Sequence, residues 1–144
     1  ASGADKVIVC LDARMGEIYF AAFAKVLTQD KLNDEWQQIH ETIVCKPEAS
    51  PILVAGASQM STHEKFWTGA GSGWAVYGDA LSGIYAQNLV DIKAEITPTA
   101  EAILILATPI FLAGLAKPAS EAMPIYIRNR VALTSAEREQ GQRL

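Results

Sequence analysis

The sequence predicts an α/β domain on a mixed sheet, with elements in the order β-β-β-α-β-α-β-α. Three observations carry this. Three runs rich in β-branched and aromatic residues lie within residues 6–46, separated by short polar turns, as in an antiparallel meander. After Pro47, helix-like and strand-like segments alternate, the pattern of a sheet extended through crossovers. The chain has 144 residues and is half apolar, long enough for one domain with a sizeable core.

Lys6–Leu11 (KVIVCL) is a continuous apolar run, as expected of a strand covered on both faces. Asp12 ends it, and DARMG supplies a turn. Glu17–Val26 (EIYFAAFAKV) follows closely enough to form an antiparallel hairpin with the first strand. Thr28–Glu35 is polar and reads as an exposed turn. Trp36–Lys46 places Ile39, Ile43 and Cys45 on one face and Gln38, His40 and Thr42 on the other, suiting an edge strand. Glu48–Met60 is a helix candidate interrupted by Pro51 and Gly56. Phe66–Gly69 is a short strand, and GAGSG at Gly69–Gly73 turns into a helix over Trp74–Ile84, with Ser72 near its start. Leu89–Ile96 returns to a strand. Thr97-Pro98 pairs a capping hydroxyl with proline at the first helical position. Pro109 should kink or split the last helix, and Gly114 should cap its C-terminus. Residues 1–116 form the domain, and 117–144 a C-terminal extension. This order resembles the ribonuclease H-like pattern, which forms one lobe of actin-like and hexokinase-like ATPases.

Charge narrows the function classes. Twelve Lys and Arg against 16 Asp and Glu give −4, whereas a free-standing nucleic-acid binder usually carries a basic surplus. The longest uncharged apolar stretch, Ala102–Ala116, is too short for a membrane span and contains Pro109. The opening ASGADK lacks the basic and apolar regions of a secretory signal, so a cytoplasmic setting is expected. Cys10 and Cys45 then read as reduced thiols. Their strands stand two apart in a meander, about 9–10 Å, beyond the ~7 Å that a disulfide spans. His40 and His63 come without CxxC or HExxH, so no metal is expected.

Asp12, with Glu17 and Asp79, has the chemistry of a carboxylate cluster for metal-assisted phosphoryl transfer. Alternatively, Asp12 accepts backbone N–H bonds within its own turn, the reading favoured here. Gly69, Gly71 and Gly73 lie between a strand and a helix, where backbone amides can cradle phosphate. No Lys-Ser/Thr follows, and Trp74 stands where a dinucleotide fingerprint has its third glycine, so a tight structural turn is preferred. Ser61, Thr62 and His63 lack a nucleophile elbow and read as loop. In the tail, Arg128, Arg130, Arg138 and Arg143 against Glu137 and Glu139 give +2 over residues 125–144, leaving −6 on 1–124. A solvated extension is expected there, with contact to RNA or an acidic partner as the alternative.

LDARMGEIYFAAF (11–23), ETIVCKPE (41–48), GAGSGWAVY (69–77) and PIYIRNRVA (124–132) together resemble the C-terminal portion of the bacterial TsaB (YeaZ) family. The resemblance implies the second lobe of a two-lobed ASKHA protein. The DTS strand end and GPGSFTG loop of the first lobe are not in this sequence, so that lobe is expected to be missing, consistent with the start at Ala1. It further implies a non-catalytic scaffold without a cofactor. Such a scaffold acts with TsaD, the catalytic subunit, and TsaE, an ATPase, to place threonylcarbamoyl on adenosine 37 of tRNAs, touching tRNA only through the complex. Family contacts with TsaD are attributed to the first lobe, so they transfer to no residue here. A link to the M22 glycoprotease group finds no His pair in support. The alternative is an ASKHA-type nucleotide-binding or phosphotransfer enzyme using Asp12 and Gly69–Gly73. A lobe built to pack on another should also self-associate, with Tyr19, Phe23, Trp74 and Tyr77 as interface candidates.

Overall fold

In the computed structural model, residues 3–26, 35–53, 66–128, 135 and 139–141 are described. Five strands, β1 (Lys6–Arg14), β2 (Glu17–Val26), β3 (Glu35–Cys45), β4 (Trp67–Ala70) and β5 (Leu89–Lys93), form one sheet in the order β3-β2-β1-β4-β5. β1–β2 and β2–β3 are antiparallel, while β1–β4 and β4–β5 are parallel, giving the mixed sheet the sequence predicts. Helices α1 (Ser72–Tyr85) between β4 and β5 and α2 (Ala100–Leu112) after β5 accompany it among the described residues. Among the described residues, no helix is long and apolar enough to cross a membrane.

Strand alternation sorts side chains between the two faces. Ile8, Cys10, Ile18, Phe20 and Ala22 point to the side where Trp74, Leu81 and Tyr85 of α1 seal the core. Tyr85 stacks on Phe20 at 6.3 Å between ring centroids, and His40 meets the same ring edge-on at 5.4 Å. The opposite face, with Val7, Val9, Leu11, Tyr19 and Phe23, is only half-buried. The apolar run of β1 predicts cover on both sides, but α1 covers one side fully and α2 approaches the other only along a groove.

Several local expectations change. β1 runs past Leu11 to Arg14, with a bulge between Asp12 and Arg14, so the hairpin narrows to the two residues Met15-Gly16. Arg14, Met15 and Gly16 all have positive φ (64°, 59° and 75°), the hand that matches a twisted hairpin at a steric cost to the two non-glycine residues. Over Glu48–Met60 no α-helix forms in the described part. Pro47–Ala49 make one 3₁₀ turn, because Pro51 steers Ser50 to extended backbone, and the Ser50 hydroxyl donates to Pro47 O at 2.6 Å. Residues 54–60 lie outside the described residues, as do Ser61, Thr62 and His63 and most of the turn before β3.

The last helix starts later than Thr97-Pro98 suggests. Thr99, extended at φ −121°, caps it by accepting the Ala102 N–H at 3.2 Å. Pro109 does not split the helix, which continues to Leu112, and the Thr108 hydroxyl donates back to Leu104 O at 2.7 Å. The C-cap is Ala113. Gly114 (φ 69°) follows it, with Gly114 N–H on Phe111 O and Leu115 N–H on Ile110 O, both 3.0 Å, a Schellman closure.

Candidate functional site

Asp12 and the Gly69–Gly73 loop meet where β1 ends against the start of α1. Asp12 is fully engaged there. Its N–H donates to Ser72 Oγ (3.1 Å), and its carboxylate accepts the Arg14 N–H (2.9 Å), the Arg14 guanidinium (3.2 Å) and the Tyr77 hydroxyl (3.4 Å). This is the turn-capping role, extended to hold α1. Partial burial, and then the Asp12 charge, raise the Tyr77 hydroxyl above the ordinary phenol range.

Glu17 and Asp79 do not join Asp12. Glu17 faces Arg128, Asp79 lies exposed on α1, and among the described residues no three His, Cys, Asp or Glu groups could hold a metal ion.

The glycines of the loop answer to packing. A Cβ on Gly71 would stand 2.6 Å from Cys10 O, at a φ of 103° that favours glycine. One on Gly73 would stand 2.9 Å from the same carbonyl, and one on Gly69 would enter the indole of Trp74 at 2.6 Å. The glycines let the start of α1 touch the β1 backbone and let Trp74 lie over β4. Trp74 is consequently core: its N–H donates to Ile8 O at 3.3 Å, and it offers no surface to a partner. That corrects its place among the interface candidates. The remaining three do not form one patch either. Tyr19 and Phe23 are half-buried on the open sheet face, while Tyr77 sits on the α1 side against Asp12.

Cys10 and Cys45 are free thiols on strands separated by β2, as the meander requires. Burial, and then the neighbouring Cys45, push Cys10 up to about 12. Burial also raises Cys45, against a lowering hydrogen bond from Ser50. Both are poor nucleophiles at neutral pH.

Reading the tail as a solvated extension misses Arg128. Its side chain is 14% exposed, and Nη2 donates to Ala13 O (2.9 Å), Arg14 O (3.4 Å) and Glu17 Oε2 (2.7 Å). It thus pins the segment after α2 onto the positive-φ hairpin. The available signal was the opposite charge of Glu17 and Arg128 in two of the motifs quoted above. Arg130, Arg138 and Arg143 lie outside the described residues.

No family model matches the chain. Over 133 residues, 91% of the chain, it is 32% identical to the tRNA threonylcarbamoyladenosine biosynthesis protein TsaB of Escherichia coli (strain K12). Over 130 residues it is 30% identical to TsaB of Haemophilus influenzae. Among solved structures, an uncharacterized Pseudomonas aeruginosa protein with similarity to peptidase YeaZ superposes over 88% of the chain with a TM-score of 0.65 at 30% identity. YeaZ from Pseudomonas aeruginosa superposes over 87% with a TM-score of 0.59 at 28% identity. Over the part of those proteins that it spans, the chain matches TsaB (YeaZ) in sequence and in fold. That part is about half: 51% and 50% of the two TsaB proteins, and 51% and 50% of the two solved chains. The TsaB likeness is carried by sequence and fold together, since 89–91% of the chain matches in sequence and 87–88% in structure.

Proposed function

We propose that the chain serves as a non-catalytic scaffold in formation of threonylcarbamoyladenosine at position 37 of tRNA, beside a TsaD-like catalytic subunit and a TsaE-like ATPase. In this reading residues 1–116 are a ribonuclease H-like, ASKHA-type lobe, 117–144 its extension, and the setting cytoplasmic. No cofactor is needed, and tRNA is met only through the complex. The strand order β3-β2-β1-β4-β5, with a parallel β1–β4 pair, supports the lobe assignment. The observation that carries the functional reading is the TsaB match across 91% of the chain. The packed junction at Asp12 and Gly69–Gly73 agrees with it, since those residues already have structural work. Deleting the coding region should lower threonylcarbamoyladenosine in cellular tRNA. Unchanged modification levels would overturn the proposal.

A nucleotide-binding reading draws on one observation, the placement of Asp12 against Ser72 at the start of α1, which Gly71 caps. Titration with ATP and Mg²⁺ separates the two. Micromolar binding lost on Gly71→Ala, in a chain that remains folded, would favour the nucleotide reading.

A further inference from the structure

The hairpin that Arg128 clamps carries a methionine at its corner. Met15 sits at positive φ (59°) and is 58% exposed, so an oxidant in solution reaches its side chain. Its sulfur also belongs to the clamp. Arg128 Nη2 holds Ala13 O, Arg14 O and Glu17 Oε2, whereas Nη1 donates to Met15 Sδ at 3.8 Å. A thioether is a weak acceptor, so that half of the guanidinium is poorly engaged. Nε is buried and has no hydrogen-bond partner among the described residues. The clamp therefore keeps unused donor capacity beside an exposed, oxidisable sulfur.

We propose that Met15 is a site of reversible oxidation, and that its sulfoxide tightens the Arg128 clamp. A hydroperoxide supplies the oxygen. The sulfur lone pair attacks its terminal oxygen, the O–O bond breaks and an S–O bond forms. The proton passes to the departing oxygen, which leaves as an alcohol, or as water from hydrogen peroxide. Sulfur is oxidised by two electrons and the peroxide is reduced by two. The new oxygen stands about 1.5 Å from Sδ, within hydrogen-bond reach of a nitrogen 3.8 Å from that sulfur. A polarised S–O acceptor facing a cation makes a charge-assisted bond where the thioether made a weak one. Sulfoxide formation in a core leaves a polar group without a partner, and destabilises. Here the site is exposed and the donor is already in place, so the sign reverses. The tighter clamp holds Ile125–Arg128, which with Leu11, Tyr19 and Thr42 line a hollow of about 440 Å³, and so fixes one wall of it.

Trypsin reads the clamp, because cutting after Arg128 requires its guanidinium to leave Glu17 and the two carbonyls. The chain is treated with hydrogen peroxide and then with dithiothreitol, which returns oxidised thiols, and sulfoxides are located by peptide mass. Met15 and Met123, the latter 76% exposed, should both gain oxygen. Cleavage after Arg128 should slow about threefold or more, since proteolysis follows the opened population, and methionine sulfoxide reductase should restore it. Met60→Leu with Met123→Leu should keep the slowing, and Met15→Leu should abolish it. Met15→Gln, whose amide oxygen stands in for the sulfoxide, should slow cleavage without peroxide. Three outcomes would overturn the proposal: Met15 left unoxidised where Met123 is converted, cleavage that is unchanged or faster after oxidation, or slowing that survives Met15→Leu.

Discussion

Arg128 and Glu17 form an ion pair at 2.7 Å although 111 residues separate them in sequence. The same guanidinium nitrogen takes the carbonyls of Ala13 and Arg14, beside two non-glycine residues at positive φ. The pair therefore holds the segment between α2 and Arg128 onto the hairpin that follows Asp12.

Arg128→Ala should cost about 1–3 kcal/mol in urea unfolding, from the lost charge-assisted bonds and the exposed carbonyl partners. Arg128→Lys should recover only part of this, because a single ammonium cannot reproduce the guanidinium fork. A change below ~0.5 kcal/mol for Arg128→Ala would show that the segment is not held by this contact.

Glycine substitutions should separate the packed loop from the open helix face. Gly71→Ala meets Cys10 O at 2.6 Å from a φ of 103°, and should destabilise by at least about 2 kcal/mol. Gly83→Ala has nothing within 4 Å and should stabilise α1 by about 0.5–1 kcal/mol. Equal effects at the two sites, read from thermal unfolding, would contradict the account of the loop.

Stability should fall in alkali. The folded chain holds the Cys10 proton to about 12, while the unfolded thiol releases it near its ordinary value of 9.0. Between those values the unfolded state binds fewer protons, so the stabilisation present below pH 9 drains at roughly 1.4 kcal/mol per pH unit from this thiol. Tyr85, raised first by its burial, adds to the loss at higher pH. Unfolding free energies from pH 8 to 11 check the slope, and Cys10→Ala should flatten it. Without denaturant, Cys45 should react with a thiol reagent before Cys10.

Thr99→Ala should remove the cap on Ala102 N–H and cost α2 about 1 kcal/mol, while Thr97→Ala should leave it unchanged. Since α2 buries no side chain, the effect should appear as faster amide exchange within Ala100–Leu112, with little change in the sheet core. Equal exchange in the two variants would return the helix start to Thr97.

By itself, the sequence determined the sheet. The β-branched runs, their short polar turns and the alternation after Pro47 give five strands and two of the predicted helices, because strand period and turn chemistry are local. The reduced thiols follow from the same strand order. Asp12 as a turn acceptor was legible for a similar reason, since an Asp reaches its own backbone two residues on. Tertiary structure alone decided what each motif is for. Gly69, Gly71 and Gly73 look alike as phosphate cradles or packing residues until the β1 carbonyl at Cys10 is found against them. Trp74 reads as an exposed aromatic until α1 turns it over Gly69. Arg128 reads as tail until the chain brings it back across 111 residues to Glu17. Periodicity records which side of an element is apolar, but a helix such as α2, apolar all round, carries no such record. Which bodies cover it is settled only by the surfaces that meet in space.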